Sequence, residues 1–191
     1  MTARHPRLSA RAARMPVPRC WLMTDERMSE ALWAAVDRLP RGAGIIMRHY
    51  ASPLAERRAL FARLAVIARR RGLVLVRAGG DRLGRQEAGV HGRDPRRSPG
   101  LKTWPAHDLR ELRAGVRAGA DVILVSPVFM TRSHPGARSL GRVRAAMLAR
   151  QAPVPVIALG GVSSRERHWL RLAGFYGWAG IDAWLVPPDQ L

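Results

Sequence analysis

The 191-residue chain has a single cysteine, Cys20, and a single lysine, Lys102. One thiol excludes an intrachain disulfide and a cysteine-based zinc site. Beside an apolar run it reads as a small core residue. No apolar run is long enough to cross a bilayer. Residues 1–18 are arginine-rich and free of acids, yet they lack the apolar segment of a secretory signal. They read as a disordered basic arm, with an organelle transit peptide as the alternative, ahead of one domain over 19–191. A cytoplasmic location follows. Also missing are HExxH, the P-loop, the nucleophile elbow and a full Rossmann glycine pattern.

Base is in excess: 33 Lys and Arg stand against 14 Asp and Glu, a formal charge of +19, and nearly all of it is arginine. Codon usage is one source of such a bias. The functional readings are phosphate-bearing metabolites or nucleic acid. Nucleic-acid binding calls for a basic stripe with interleaved aromatics. Here the arginines are scattered and no DNA- or RNA-binding motif occurs, which leaves nucleic acid as the weakest of the readings.

The remainder alternates short Val/Ile/Leu-rich runs with longer amphipathic stretches. "CWLMTD", "AGIIMRHY", "LVLVRAGG", "AGVHGRD", "LKTWPAH", "DVILVSPVF", "VPVIALGGV" and "AGIDAWLV" read as strands. Helical spacing falls between them, with Leu60, Leu64 and Ile67 on one face before a Gly72 stop and with Asp108 and Ser163 or Ser164 as caps. Continuous apolar strands between helices imply a parallel sheet covered on both faces. About eight units predict an α/β (β/α)8 TIM barrel, possible without its last helix, with a doubly wound sheet as the alternative.

In such folds the loops after the strands gather at one end and carry the site. Asp25, Arg48, Arg77, His91, His107, the loop 126–138 and Gly160-Gly161 all fall there. "ALGGVSS" sets two glycines and two serines at a strand-to-helix turn, a cradle for phosphate. "VSPVFMTRSHPGAR" offers Thr131 and Ser133 hydroxyls, loop amides, Arg132 and Arg138 for anion geometry, and His134 as a proton donor. The plain alternative is a surface loop turning at His134-Pro135-Gly136.

With these motifs in order, the chain resembles the thiamine phosphate synthase/TenI family from about Cys20 to Trp184. "LMTD" and "GIIMRHY" resemble its first two strands and "GVHGRD" its Val-His-Leu-Gly-Gln segment. "AGADVILVSPVFMTRSHPG" is similar to its Gly-Ala-Asp-Tyr strand and Gly-Pro-Val-Phe-x-Thr loop, and "PVPVIALGGVSS" to its Gly-Gly-Ile turn. The resemblance implies a (β/α)8 barrel and a transferase that joins a pyrimidine methyl diphosphate to a thiazole phosphate, with Mg2+. It implies Arg48 and Thr131 on the diphosphate, Gly160 and Gly161 on the thiazole phosphate, and His107 with Thr103 near a Ser-x-His segment.

Several family residues are replaced. Its Gln-x-Arg-x-Lys becomes Ile46, Arg48 and Tyr50, and its Asn-Asp becomes Val76-Arg77, with Asp81 reached only by a slip. Arg132 or His134 stands where a lysine is usual. Pro127 occupies the position of the TenI histidine, and "PPDQL" follows the last strand in place of a helix, a gap for a partner subunit or the basic arm to cover. The expected site is therefore catalytic Arg48, Thr131 and His134. Substrate contacts are expected from Arg77, His91, Thr103, His107, Ser126, Arg132, Gly136, Gly160 and Gly161, and a metal ligand from Asp94. A protein that binds a phosphorylated heterocycle without turnover, and possible homo-oligomer formation, stay open.

Overall fold

The computed structural model describes residues 17–94, 96, 100–131 and 138–185. Eight strands form a closed, all-parallel barrel in sequence order: β1 Cys20–Met23, β2 Gly44–Met47, β3 Val74–Ala78, β4 Gly89–His91, β5 Leu101–Ala106, β6 Val122–Val125, β7 Val156–Leu159 and β8 Gly177–Gly180. The first and last strands pair through Trp21 and Ala179, so the sheet closes and the doubly wound alternative falls. Five α-helices lie among the described residues: α1 Ala31–Asp37, α2 Leu54–Arg71, α3 Leu109–Arg117, α4 Gly141–Gln151 and α5 Arg167–Ala173.

Register divides each strand into an inner and an outer row. Trp21, Met23, Ile46, Val76, Leu124 and Ile157 fall in the inner row, and Leu22, Ile45, Leu75, Ile123 and Trp178 in the outer. Both rows are buried, which is why the strands carry continuous apolar runs. The expected caps form: the Asp108 carboxylate accepts from the Glu111 amide, and Gly72 ends α2 at φ 63°. Helix α3 holds its one glycine, Gly115, for packing. A Cβ at Gly115 would stand 2.6 Å from the Trp104 ring, so glycine lets the helix lie on the outer face of β5.

Two boundaries differ from expectation. Val17 is buried, the Tyr176 hydroxyl donates to its carbonyl, and Trp21 Nε1 donates to the Pro18 carbonyl, so ordered chain begins ahead of residue 19. The eighth strand lies earlier than "AGIDAWLV". Gly174 stops α5 at φ 93°, the strand follows at Gly177, and Asp182–Trp184 turns into a 3-10 helix.

That turn covers the outer face of β8. The Trp184 ring stacks on Trp178 with centroids 4.9 Å apart, its Nε1 donates to the Trp21 carbonyl at 2.9 Å, and Arg38 at the end of α1 donates to its carbonyl. Trp184→Phe keeps the stack and removes one buried hydrogen bond. It is expected to cost about 1 kcal/mol in urea unfolding, the scale of one lost buried hydrogen bond. No change in midpoint would remove this role from the indole N–H.

Candidate functional site

The carboxyl ends of β1, β2, β5, β6, β7 and β8 surround a cavity of about 720 Å³, a size suited to a small-molecule ligand. Arg48, His107, Ser126, Thr131, Arg138, Gly160 and Gly161 line it together with Met23, Arg165, Glu166 and Asp182. The convergence expected for Arg48, Thr131 and the glycine pair is therefore present.

Arg48 follows the last residue of β2. Its main-chain N–H donates to Thr24 Oγ1 at 3.1 Å. The guanidinium reaches Met23 Sδ at 3.5 Å and lies 5.8 Å from the Tyr50 ring centroid. It makes no salt bridge among the described residues. Burial pushes the nearby Asp25 carboxyl up, but hydrogen bonds and charge from Arg27, with a smaller effect of Arg48, hold it below its ordinary value. Asp25 is thus engaged by Arg27, at 2.7 Å, and among the described residues Arg48 has no ion-pair partner.

On the opposite wall the loops after β6 and β7 are bonded edge to edge. The Val128 amide donates to the Leu159 carbonyl at 2.9 Å and the Phe129 amide to the Gly160 carbonyl at 3.0 Å. A Cβ at Gly161 would stand 2.4 Å from the Met130 carbonyl oxygen, and the residue has φ 61°. Glycine is required here for contact between the loops as well as for conformation. Among the described residues no backbone carbonyl accepts the Gly161 or Val162 amide, and both residues line the cavity. Ser163 caps the following turn. Glu166 receives its amide at 2.8 Å and its hydroxyl at 2.9 Å, a capping box.

His107 and Ser126 lie between these walls. Nδ1 of the imidazole donates to the Ser126 carbonyl at 2.6 Å. His91 and Thr103 face the barrel interior and bond each other, Nδ1 to Oγ1, at 2.9 Å. Neither lines the cavity. Burial, with a smaller effect of Arg48, lowers the His91 pKa to about 4, so the ring is neutral at physiological pH. These two residues, expected as substrate contacts, form a polar layer beneath the cavity.

Arg77 requires a correction. Its register partner on β2 is Met47, so the side chain falls in the outer row. There Nε bonds Glu87 at 2.9 Å, and Glu87 also accepts the Leu83 and Gly84 amides. Asp94 is likewise corrected: its carboxylate takes the Arg96 amide and Nε, holding its pKa below the usual range, and it does not line the cavity. Asp81, the slipped alternative, is exposed and lies 3.9 Å from Arg57. Arg132, His134 and Gly136 lie outside the described residues.

The rim also holds two acids that the sequence reading did not assign to the site, Glu166 and Asp182. Glu166 was legible as the fourth residue of a Ser-x-x-Glu capping box. Asp182 was hidden inside a run read as strand.

Fold and rim define a (β/α)8 barrel with an arginine- and amide-lined cavity at its carboxyl end. The family profile described as thiamine monophosphate synthase matches residues 100–184. An Aquifex aeolicus protein provisionally named thiamine-phosphate synthase 2 is 36% identical over 82 residues, 43% of this chain and 44% of that protein. The thiamine-phosphate synthase of Chloroflexus aurantiacus is 31% identical over 85 residues, 44% of this chain and 39% of its own. These matched segments thus span less than half the length of either relative. In structure, the thiamine phosphate pyrophosphorylase of Pyrococcus furiosus superposes with a TM-score of 0.73 at 21% identity, covering 93% of this chain and 91% of that one. Over residues 100–184 the chain is similar to the thiamine monophosphate synthase family, and its whole barrel shares the fold of the Pyrococcus enzyme.

Proposed function

We propose that the protein is a thiamine phosphate synthase-type transferase, joining hydroxymethylpyrimidine diphosphate to thiazole phosphate with release of pyrophosphate. The observation that carries this is the meeting of Arg48, Thr131, Ser126 and the Gly160-Gly161 turn in one cavity. In the reaction the pyrimidine methyl carbon–oxygen bond breaks and its electron pair leaves with pyrophosphate. The thiazole nitrogen then supplies the pair for the new carbon–nitrogen bond.

On this reading Arg48 faces the leaving diphosphate, where an arginine without a counter-ion neutralises developing charge. Thr131 and Ser126 border the same space. The Gly161 and Val162 amides receive the thiazole phosphate, with Arg165 and Arg138 adding positive charge. Three arginines against two carboxylates leave the described lining net positive.

Magnesium binds oxygen donors, commonly one or two carboxylates together with substrate phosphates. The carboxylates at the positions where the resemblance places them are engaged by arginines or amides and do not line the cavity. Among the described residues no group of three His, Cys, Asp or Glu side chains is placed to hold a metal. The residues at the expected ligand positions do not fit the ion, and no step is assigned to it. The loss of those donors is also what favours the second reading, a holder of phosphorylated heterocycles that does not turn over.

Purified protein incubated with both substrates is expected to form thiamine phosphate and pyrophosphate in equal amounts, and turnover is expected to survive EDTA. Collapse of turnover on EDTA would contradict the reading of the acid positions. No product, while thiazole phosphate still raises the melting temperature, would establish the second reading.

A further inference from the structure

We infer that Arg57, on the second helix and outside the cavity, is the positioning residue that aims Arg48 at the anion. This rests on the proposed role of Arg48 against diphosphate.

Arg57 is 6% exposed, although arginine in a surface helix normally keeps its head in water. Its Nη2 donates to the Ala78 carbonyl at 2.6 Å and to the Arg48 carbonyl at 3.3 Å. One guanidinium nitrogen therefore ties the carboxyl ends of β3 and β2 together, just where parallel pairing ends at Met47 and Arg77. Its Nη1 lies 3.9 Å from the exposed Asp81 carboxylate, and its Nε has no hydrogen-bond partner among the described residues. A buried charge with an unmatched N–H is costly, so this arrangement is weak as a device for stability alone.

The main chain of Arg48 is thus held from two sides. Thr24 Oγ1 takes its N–H, and Arg57 takes its carbonyl. The next residue, His49, has φ 40°, an uncommon conformation for a residue with a Cβ, and its Nδ1 bonds the same Thr24 hydroxyl at 2.9 Å. Thr24 Oγ1 thus joins the Arg48 amide and the His49 ring at one hydroxyl. Among the described residues the Arg48 side chain itself finds only a thioether and an aromatic ring. With so little holding its tip, its direction into the cavity follows from its main chain, and Arg57 is the side-chain donor on that main-chain carbonyl. Small misplacements of a charged group facing an anion have large effects on binding.

The test is titration of inorganic pyrophosphate and, separately, of thiazole phosphate into wild type, Arg57→Lys, Arg57→Gln and Arg48→Ala. Circular dichroism and melting serve as the check of fold. Lysine keeps the charge but offers a point donor in place of the planar fork. Arg57→Lys and Arg57→Gln are expected to weaken pyrophosphate about tenfold, the loss of one charge-assisted contact, with thiazole phosphate affinity within about twofold of wild type. Equal weakening of both ligands, or loss of fold in both variants, would make Arg57 a structural residue and overturn the inference. So would wild-type pyrophosphate affinity in both folded variants while Arg48→Ala binds weakly. Unchanged affinity in Arg48→Ala would overturn the reading of the site, and this inference with it.

Discussion

Arg48→Ala is expected to weaken pyrophosphate binding by at least about 1.5 kcal/mol, more than tenfold in Kd, without a comparable loss of stability. The guanidinium borders the cavity and touches Met23 and Tyr50, but makes no salt bridge among the described residues. Removing it therefore leaves no buried acid unpaired, which separates this substitution from the usual deletion of an ion-pair partner. The fold loses little and the ligand loses its charged contact. Isothermal titration with pyrophosphate, beside urea unfolding, reads both quantities. Equal affinity in the variant would show that the anion is bound elsewhere.

Gly161→Ala is expected to abolish measurable thiazole phosphate binding and to destabilise the protein by about 2–4 kcal/mol, the sum of overpacking and left-handed strain. Its Cβ would meet the Met130 carbonyl oxygen at 2.4 Å and Phe129 Cβ at 2.8 Å. Neither the backbone oxygen nor a Cβ can swing aside as a long side chain can. The loops after β6 and β7 must then separate, moving the amides that face the cavity. Gly119→Ala is the control: φ is 73° and no atom lies within 4 Å of its Cβ position, so only the conformational cost of about 1 kcal/mol applies. Calorimetric titration and urea unfolding of the two variants separate collision from backbone strain. Similar losses in both would mean that loop contact at Gly161 carries no weight.

The barrel was legible because buried parallel strands write themselves as apolar runs, and the first seven expected strands, from "CWLMTD" to "VPVIALGGV", fall on observed ones. The eighth was misplaced because "AGIDAWLV" is apolar for another reason. Trp184 folds back on Trp178 instead of extending the sheet. Arg48, Thr131, His107, Ser126 and the glycine pair were placed correctly at the rim, since each lies at or just beyond a strand's carboxyl end, where topology alone brings residues together.

Arg77 shows what position along a strand leaves open. It lies near a strand end as Arg48 does, yet one residue of parity sends its side chain outward to Glu87. The Glu87 contact arises within the β3–β4 connection and has no periodic signature. His91 and Thr103 have the inward parity but sit one layer too deep. Arg57 was invisible for a related reason: on a helical wheel it reads as a solvated charge, and only the approach of two strand ends to α2 gives it carbonyls to bind.

The most direct measurement is a crystal structure of the protein soaked with thiazole phosphate and pyrophosphate. The account predicts one phosphate on the Gly161 and Val162 amides and the diphosphate against the Arg48 guanidinium, both within the same cavity. Anions bound on separate surfaces, with Arg48 turned away from both, would contradict it.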